Sequence, residues 1–495
     1  MAGAMSSESA APPKKSRKLL KGSAVGLGVL LAGGVGFVNA KIAPTGTGYY
    51  AKILCSTVFV SGLPQDRVVA EDLEPYWYVS GTVDESAGTV TARLMGMAPR
   101  TAVYREGLGC TLAIDTTEAE LDAATPELPP RPDWSALDAL PFPAGAKVET
   151  TVSGAGAVEG VDYPKLEAAL DYAFADRNPE KPIRTRAFVV VYDGQVVAER
   201  YAEGVGEHTP LLGWSMTKSV GATLVGVLER QGELDHAAPA PVPAWHSEGD
   251  PRAAITLDQL LRMSSGLAFE EVYGPLSMAT FMLFESHDTA AVAMAQPLAH
   301  EPDSTWYYSS GTSNIIAWIV RQTIEQRAKD AGEDPWSAYV NFPRQELFEP
   351  LGMHTAVMEP DPSGTFVGSS FMYASARDWA RFGLLHLNDG VTPDGERLLP
   401  EGWVEYVSTP TPKSDMGDYG AQWWTNAGKP DDPDTRRFPS APTDLFQASG
   451  FQGQAVIVIP SRDAVIVRLG VAHDRTHVDM DGTIAQVLEA LPEPS

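Results

Sequence analysis

Cysteine is almost missing from this chain of 495 residues: Cys55 and Cys110 are the only two. No Cys/His arrangement accompanies them, which excludes a thiol nucleophile. Positive charge is scarce as well. Lys and Arg number 37 against 64 Asp and Glu, a net charge of −27 that repels phosphate backbones and excludes nucleic acid as a natural partner. Gly-x-Ser-x-Gly elbows, His-Glu-x-x-His helices and phosphate-binding Gly-Lys-Ser/Thr loops do not occur. Neither a metal nor a nucleotide cofactor is called for. Internal repeats and low-complexity tracts are also missing, and one long uncharged run exists, Gly22 to Ala40.

That run follows Lys14, Lys15, Arg17, Lys18 and Lys21 and ends in Val38-Asn39-Ala40, the order of a signal peptide with a small-residue cleavage site. An uncleaved anchor is the alternative, and would be the chain's only link to a membrane. Either way the expectation is export, to the periplasm or outside the cell. In an oxidising compartment Cys55 and Cys110 are expected to pair, two buried thiols being the other reading.

Residues 41 to 150 read as an N-terminal extension. Short β-like stretches, Thr57-Val58-Phe59-Val60 and Thr89-Val90-Thr91-Ala92, suggest a small β-rich unit, and the prolines between Pro126 and Pro143 suggest an extended connector. A boundary is expected near Gly154, with the main domain over 151 to 495. There, helical spacing over Tyr163 to Ala175 precedes a hairpin about Asp193-Gly194, and a second hairpin lies between Ala455 and Val467. A helical block separates the two, and a last helix covers about Gly482 to Leu491. Strands at both ends of the domain around a helical block predict one antiparallel sheet flanked by helices, an α+β fold.

The strongest chemical signal is Trp214-Ser215-Met216-Thr217-Lys218-Ser219, which opens a helix running to Gly232. A serine and a lysine three apart share one face, and a buried lysine in its neutral form can take the serine proton. By itself the pattern is weak, because a serine cap and a solvated lysine give the same letters. Lys218 is, however, the only lysine between Lys181 and Lys329, on an otherwise apolar helix. Two further motifs follow. Trp306-Tyr307-Tyr308-Ser309-Ser310-Gly311 precedes an apolar run and offers a tyrosine hydroxyl able to relay protons. Ala448-Ser449-Gly450-Phe451-Gln452-Gly453-Gln454 leads into the last hairpin, where glycines let a strand edge approach a substrate. His473 and His477, four apart, read as a surface pair rather than metal ligands.

These three motifs in this order resemble the penicillin-recognising serine hydrolases, in their class C β-lactamase-like branch. The resemblance covers about residues 155 to 490 and extends to Ile255 to Leu267, Pro350-Leu351-Gly352-Met353 and Tyr419 to Trp424. It implies a β-lactamase/transpeptidase-like fold with an all-α subdomain. It further implies an acylated Ser215, Lys218 as proton acceptor, Tyr308 as proton shuttle, and substrate contacts from Ser310, Ser449, Gly450 and the strand starting near Gln454. Two positions depart from the family: Ser310 stands where an Asn is frequent, and Ala448 where true β-lactamases and carboxypeptidases carry a basic residue. Both losses weaken recognition of a substrate carboxylate. The implied activity is therefore ester or amide hydrolysis of the 6-aminohexanoate-dimer hydrolase and esterase type, with a carboxypeptidase or a non-catalytic envelope protein as the rivals.

Overall fold

The structure is a computed structural model; it describes residues 42–126, 128, 139–145, 147–148, 158–414, 416–429 and 431–493. The segment expected to direct export, the boundary near Gly154 and most of the proline-rich connector lie outside these residues.

The centre of the fold is a six-stranded antiparallel sheet. Its N-terminal contribution is the hairpin β5 (Thr185–Tyr192) and β6 (Gln195–Tyr201). Asp193 and Gly194 turn between them with φ of 50° and 68°, the two left-handed positions a tight hairpin with right-twisted strands requires. The C-terminal contribution is β10 (Trp424–Thr425), β11 (Phe446–Gly450), β12 (Gln454–Ile459) and β13 (Ala464–Gly470). The order is β10-β11-β12-β13-β5-β6, so the two ends of the domain meet where β13 pairs with β5, Ile466 opposite Val190.

Strand periodicity sorts the side chains to two faces. Phe188, Val190, Ile457 and Ile466 pack under the helices α2 (Tyr163–Phe174) and α6 (Met480–Ala490). Val189, Val456, Val465 and Val467 belong to the larger core on the other face, with α3 (Met216–Arg230), α4 (Ser310–Ala331) and α5 (Ala376–Leu387). A sheet covered on both faces reads as near-continuous apolar runs, as these strands do. A small sheet, β7 (Leu211–Leu212), β9 (Met372–Ala374) and β8 (Val357–Met358), leads the chain into the turn before α3.

The N-terminal extension differs from its expected form. Thr57-Val58-Phe59 is not a strand but the end of α1 (Ala43–Phe59), whose Ala51, Ile53, Leu54 and Cys55 are buried. The β-branched run was misleading because tertiary burial overrides local propensity. The expected strand over Thr89 to Ala92 does form, within the antiparallel sheet β1 (Val79–Asp84), β2 (Thr89–Leu94), β3 (Met97–Arg105) and β4 (Gly109–Leu112). Helix α1 lies against this sheet, and at Gly81 a Cβ would come 2.7 Å from Leu54. Cys55 of α1 and Cys110 of β4 form a disulfide. The core of the extension is continuous with that of the main domain, Leu54 and Leu112 sharing one cluster with Trp214 and Phe284.

Charge ties the two parts together. Glu359 is 0% exposed and its carboxylate accepts from the Lys52 ammonium, from Ser56 Oγ at 2.7 Å and from the Cys110 N–H at 2.6 Å. Lys52 also donates to the Cys110 carbonyl. Among the described residues no helix is long and apolar enough to cross a membrane.

Candidate active site

The chain reaches α3 through a strained turn. Trp214 has φ of 49°, uncommon for a bulky side chain, and is held there by its surroundings. Its indole N–H donates to Gln452 Oε1 at 3.0 Å, and its ring lies 6.3 Å from Tyr49 and 5.6 Å from Phe451. Ser215 follows at the N-cap of α3, yet its hydroxyl makes no capping hydrogen bond. It accepts instead from Lys218 Nζ at 3.1 Å, one helical turn on.

Lys218 is 2% exposed and points its three donors at three elements: Ser215 Oγ, Ser310 Oγ at 3.1 Å, and the Ser369 carbonyl at 2.8 Å. Its bonded partners include no carboxylate. The nearest one in the network is Glu271, reached through Ser310, which donates to it from Oγ at 2.6 Å and from its backbone N–H at 2.7 Å. Glu271 thereby occupies the positive N-terminus of α4. Tyr273 completes the group, its hydroxyl 2.8 Å from Glu271 and 3.0 Å from Ser310 Oγ.

Tyr308 faces Lys218 with its ring, whose centroid is 4.9 Å from Nζ. The ring stacks on Trp424 at 5.6 Å and meets Tyr419 edge-on at 5.9 Å, and the phenol makes no hydrogen bond among the described residues. That leaves the hydroxyl available to a bound molecule. Ser215, Tyr308, Ser449 and Gly450 line one cleft of about 940 Å³, with Glu271, Tyr273 and the extension around them. Gly450 lies hard against the turn that carries Ser215: a Cβ on it would stand 2.2 Å from the Gly213 carbonyl. Glycine is required there for close approach.

Two expected substrate contacts are placed differently. Ser310 is fully buried and spends its hydroxyl on Lys218, Tyr273 and Glu271. Gln454 is outside the cleft lining; its amide is used up by Gly470, donating to the carbonyl at 2.6 Å and accepting from the N–H at 2.9 Å. The Gln454 side chain is thus committed inside the sheet, which leaves to its backbone the oxyanion contact expected of this strand. His473 and His477 do not converge: His473 Nε2 meets the Glu71 carbonyl, and His477 is 3.7 Å from Asp474. Among the described residues no group of His, Cys, Asp and Glu is arranged to hold a metal.

Glu271, Tyr273 and Ser369 carry no motif, and reach the site only through the fold. The same holds for Arg437, whose guanidinium lies 4.5 Å above the Trp424 ring, and for Arg475; both line the cleft.

A sheet assembled from both chain ends, a helical block, and a serine and lysine paired at the start of its first helix define a β-lactamase-like serine hydrolase. The β-lactamase family model matches residues 170–489, and the chain belongs to that family. Among its relatives is the 6-aminohexanoate-dimer hydrolase of Paenarthrobacter ureafaciens, 27% identical in an alignment 328 residues long that covers 60% of this chain and 76% of that one. Among solved structures, the hydrolase with promiscuous acyltransferase activity EstCE1 superposes with a TM-score of 0.50 at 12% identity, over 66% of this chain and 97% of its own. A penicillin-binding protein homologue from Caulobacter crescentus gives 0.49 at 16% identity, over 68% and 99%.

Proposed function

We propose that this chain is an exported hydrolase that cleaves an ester or amide bond through an acyl-enzyme on Ser215. One observation carries the reading: a buried lysine, with no carboxylate bonded to it, holds a serine hydroxyl that is not used as a helix cap. Lys218 Nζ, 3.1 Å from Ser215 Oγ, takes the proton as Ser215 Oγ bonds to the substrate carbonyl carbon. The developing oxyanion is met by the N–H of Ser215, at the positive end of α3, and by the backbone at the Gly450 end of β11. Tyr308 then delivers its proton to the departing amine or alcohol as the carbon–leaving-group bond breaks, and is reprotonated by the proton that Lys218 took from Ser215, so Lys218 can act again. Water repeats the sequence, the proton it loses returning through Lys218 to the departing Ser215 Oγ.

The relative's name supports amide chemistry, since a 6-aminohexanoate dimer is joined by an amide. The Cys55–Cys110 disulfide supports an oxidising compartment. The test is intact mass after a fluorophosphonate probe, alongside p-nitrophenyl butyrate turnover. One label per chain is expected, with none on Ser215→Ala, and Lys218→Ala should lose turnover by on the order of 10³. A wild-type chain that takes no label and turns over no ester would refute the hydrolase and favour a binding protein on this fold.

A further inference from the structure

The family match begins at residue 170, yet one wall of the cleft is built by residues well before it. Tyr49, Tyr76, Tyr78, Val79 and Leu94 face the same space as Ser215. Their rings form a ladder: Tyr78 to Tyr76 at 6.3 Å, Tyr76 to Tyr49 at 4.7 Å, and Tyr49 to Trp214, the neighbour of Ser215, at 6.3 Å. Phe284 adds an edge contact to Tyr49 at 5.3 Å. Among the described residues of the extension, no charged one lines this wall. Tyr308 and Trp424 approach from the Lys218 side, so the leaving group belongs there and the acyl group toward Trp214.

Resting on the hydrolase reading above, we propose that the extension is the acyl-binding wall, and that the enzyme takes substrates with an extended apolar or aromatic acyl group. Each methylene laid along the ladder should raise kcat/KM about threefold to fourfold until the wall ends. The test is a series of p-nitrophenyl esters from acetate to decanoate, which keeps the leaving group fixed. The wild type should climb with acyl length, and the octanoate-to-acetate ratio should fall at least tenfold in Tyr76→Ser/Tyr78→Ser. Both positions are partly exposed, and Tyr49→Leu gives a second variant within the ladder. A flat or falling wild-type profile, or an unchanged ratio in all variants, would overturn the proposal while leaving the hydrolase intact. No turnover of any ester, with no fluorophosphonate label, would overturn both.

The opposite wall holds a charge with no bonded counter-ion among the described residues. Arg437 is partly buried against Trp424 and makes no hydrogen bond or ion pair among the described residues. Burial lowers its proton affinity below the usual guanidinium range, with Asp418 opposing and the like charge of Arg475 adding to the effect. Leaving a guanidinium desolvated and unpaired is costly, and an anion entering the cleft removes the cost. We infer that Arg437 and Arg475 together seat a carboxylate on the leaving group, taking over from the basic residue that Ala448 replaces. The probe is the butyrate ester of 4-hydroxybenzoate, compared with the butyrate ester of methyl 4-hydroxybenzoate. Wild type should favour the free acid, and Arg437→Met should cut that preference by about tenfold or more. Arg475→Met, at an exposed position, should cut it in the same direction without a folding burden. No preference in the wild type, or the same preference in both variants, would overturn it.

Discussion

The Lys52–Glu359 pair joins a helix outside the matched family region to the hydrolase body, and replacing one member should show how strongly. Lys52 is 3% exposed and Glu359 0%. Burial lowers the proton affinity of Lys52, and Glu359 works to restore it. Lys52→Met keeps an unbranched chain of similar volume beside Phe371, whose ring centroid the ammonium approaches to 4.6 Å. The Glu359 carboxylate then retains two donors, Ser56 Oγ and the Cys110 N–H, but no counter-charge. Removing one partner of a buried pair costs about 3–5 kcal/mol. Glu359→Gln should cost a similar amount, because Oε1 keeps its two donors while the ammonium loses its counter-charge. In Lys52→Met/Glu359→Gln no charge is left uncompensated. The remaining loss is chiefly the donor to the Cys110 carbonyl, about 1 kcal/mol. The double variant should therefore be more stable than either single one, a coupling of several kcal/mol. Urea unfolding followed by tryptophan fluorescence at pH 7 measures all four proteins. Lys52→Met costing under about 1 kcal/mol, or single costs that simply add, would refute the reasoning. Helix α1 also carries Tyr49 to the cleft, so Lys52→Met should raise KM for long-chain esters more than for acetate.

Burial pushes the imidazole of His386 down to about 4, with Trp423 and Phe382 packed on it and Nδ1 beside the Phe382 carbonyl. Its folded pKa lies below the unfolded value of about 6.5, so the unfolded chain binds the extra proton. Stability from this group is complete above pH 6.5 and is lost as pH falls toward 4, about 3 kcal/mol in all. Subtracting the pH profile of His386→Gln from that of the wild type should isolate this loss, and identical slopes would contradict it. Gly450→Ala should reduce kcat by tenfold or more, since its Cβ forces the Gly213 carbonyl and the Ser215 turn to shift; unchanged kinetics would show that β11 does not set the position of Ser215. Nitrocefin should be turned over poorly, because Ser310, its hydroxyl committed to Lys218, Tyr273 and Glu271, cannot supply the side-chain amide contact a β-lactam needs. Turnover at the rate of a dedicated β-lactamase would count against that reading.

What was legible in the sequence was local or periodic. Asp193-Gly194 specifies its hairpin through two positive φ angles, and the Ser215–Lys218 spacing specifies one helix face, so both could be read before any tertiary contact was known. Thr57-Val58-Phe59 shows the limit: its residue types favour a strand, but the apolar face of α1 and the sheet beneath it decide otherwise. Gln454 and Ser310 sit inside recognisable motifs, yet their partners are Gly470 and Lys218, fixed by strand register and by helix packing. The residues that complete the site come from farther still. Glu271 and Tyr273 lie on a loop, Tyr49 on the extension and Arg437 on the segment before β11; no spacing rule connects them to Ser215. The Ser/Lys pair, proposed to supply the reaction, is thus compact in sequence, whereas the surfaces that would choose a substrate are dispersed. A chain can therefore keep its chemistry while exchanging its substrate, and the aromatic ladder of the extension and the arginines over Trp424 are where that exchange should be sought.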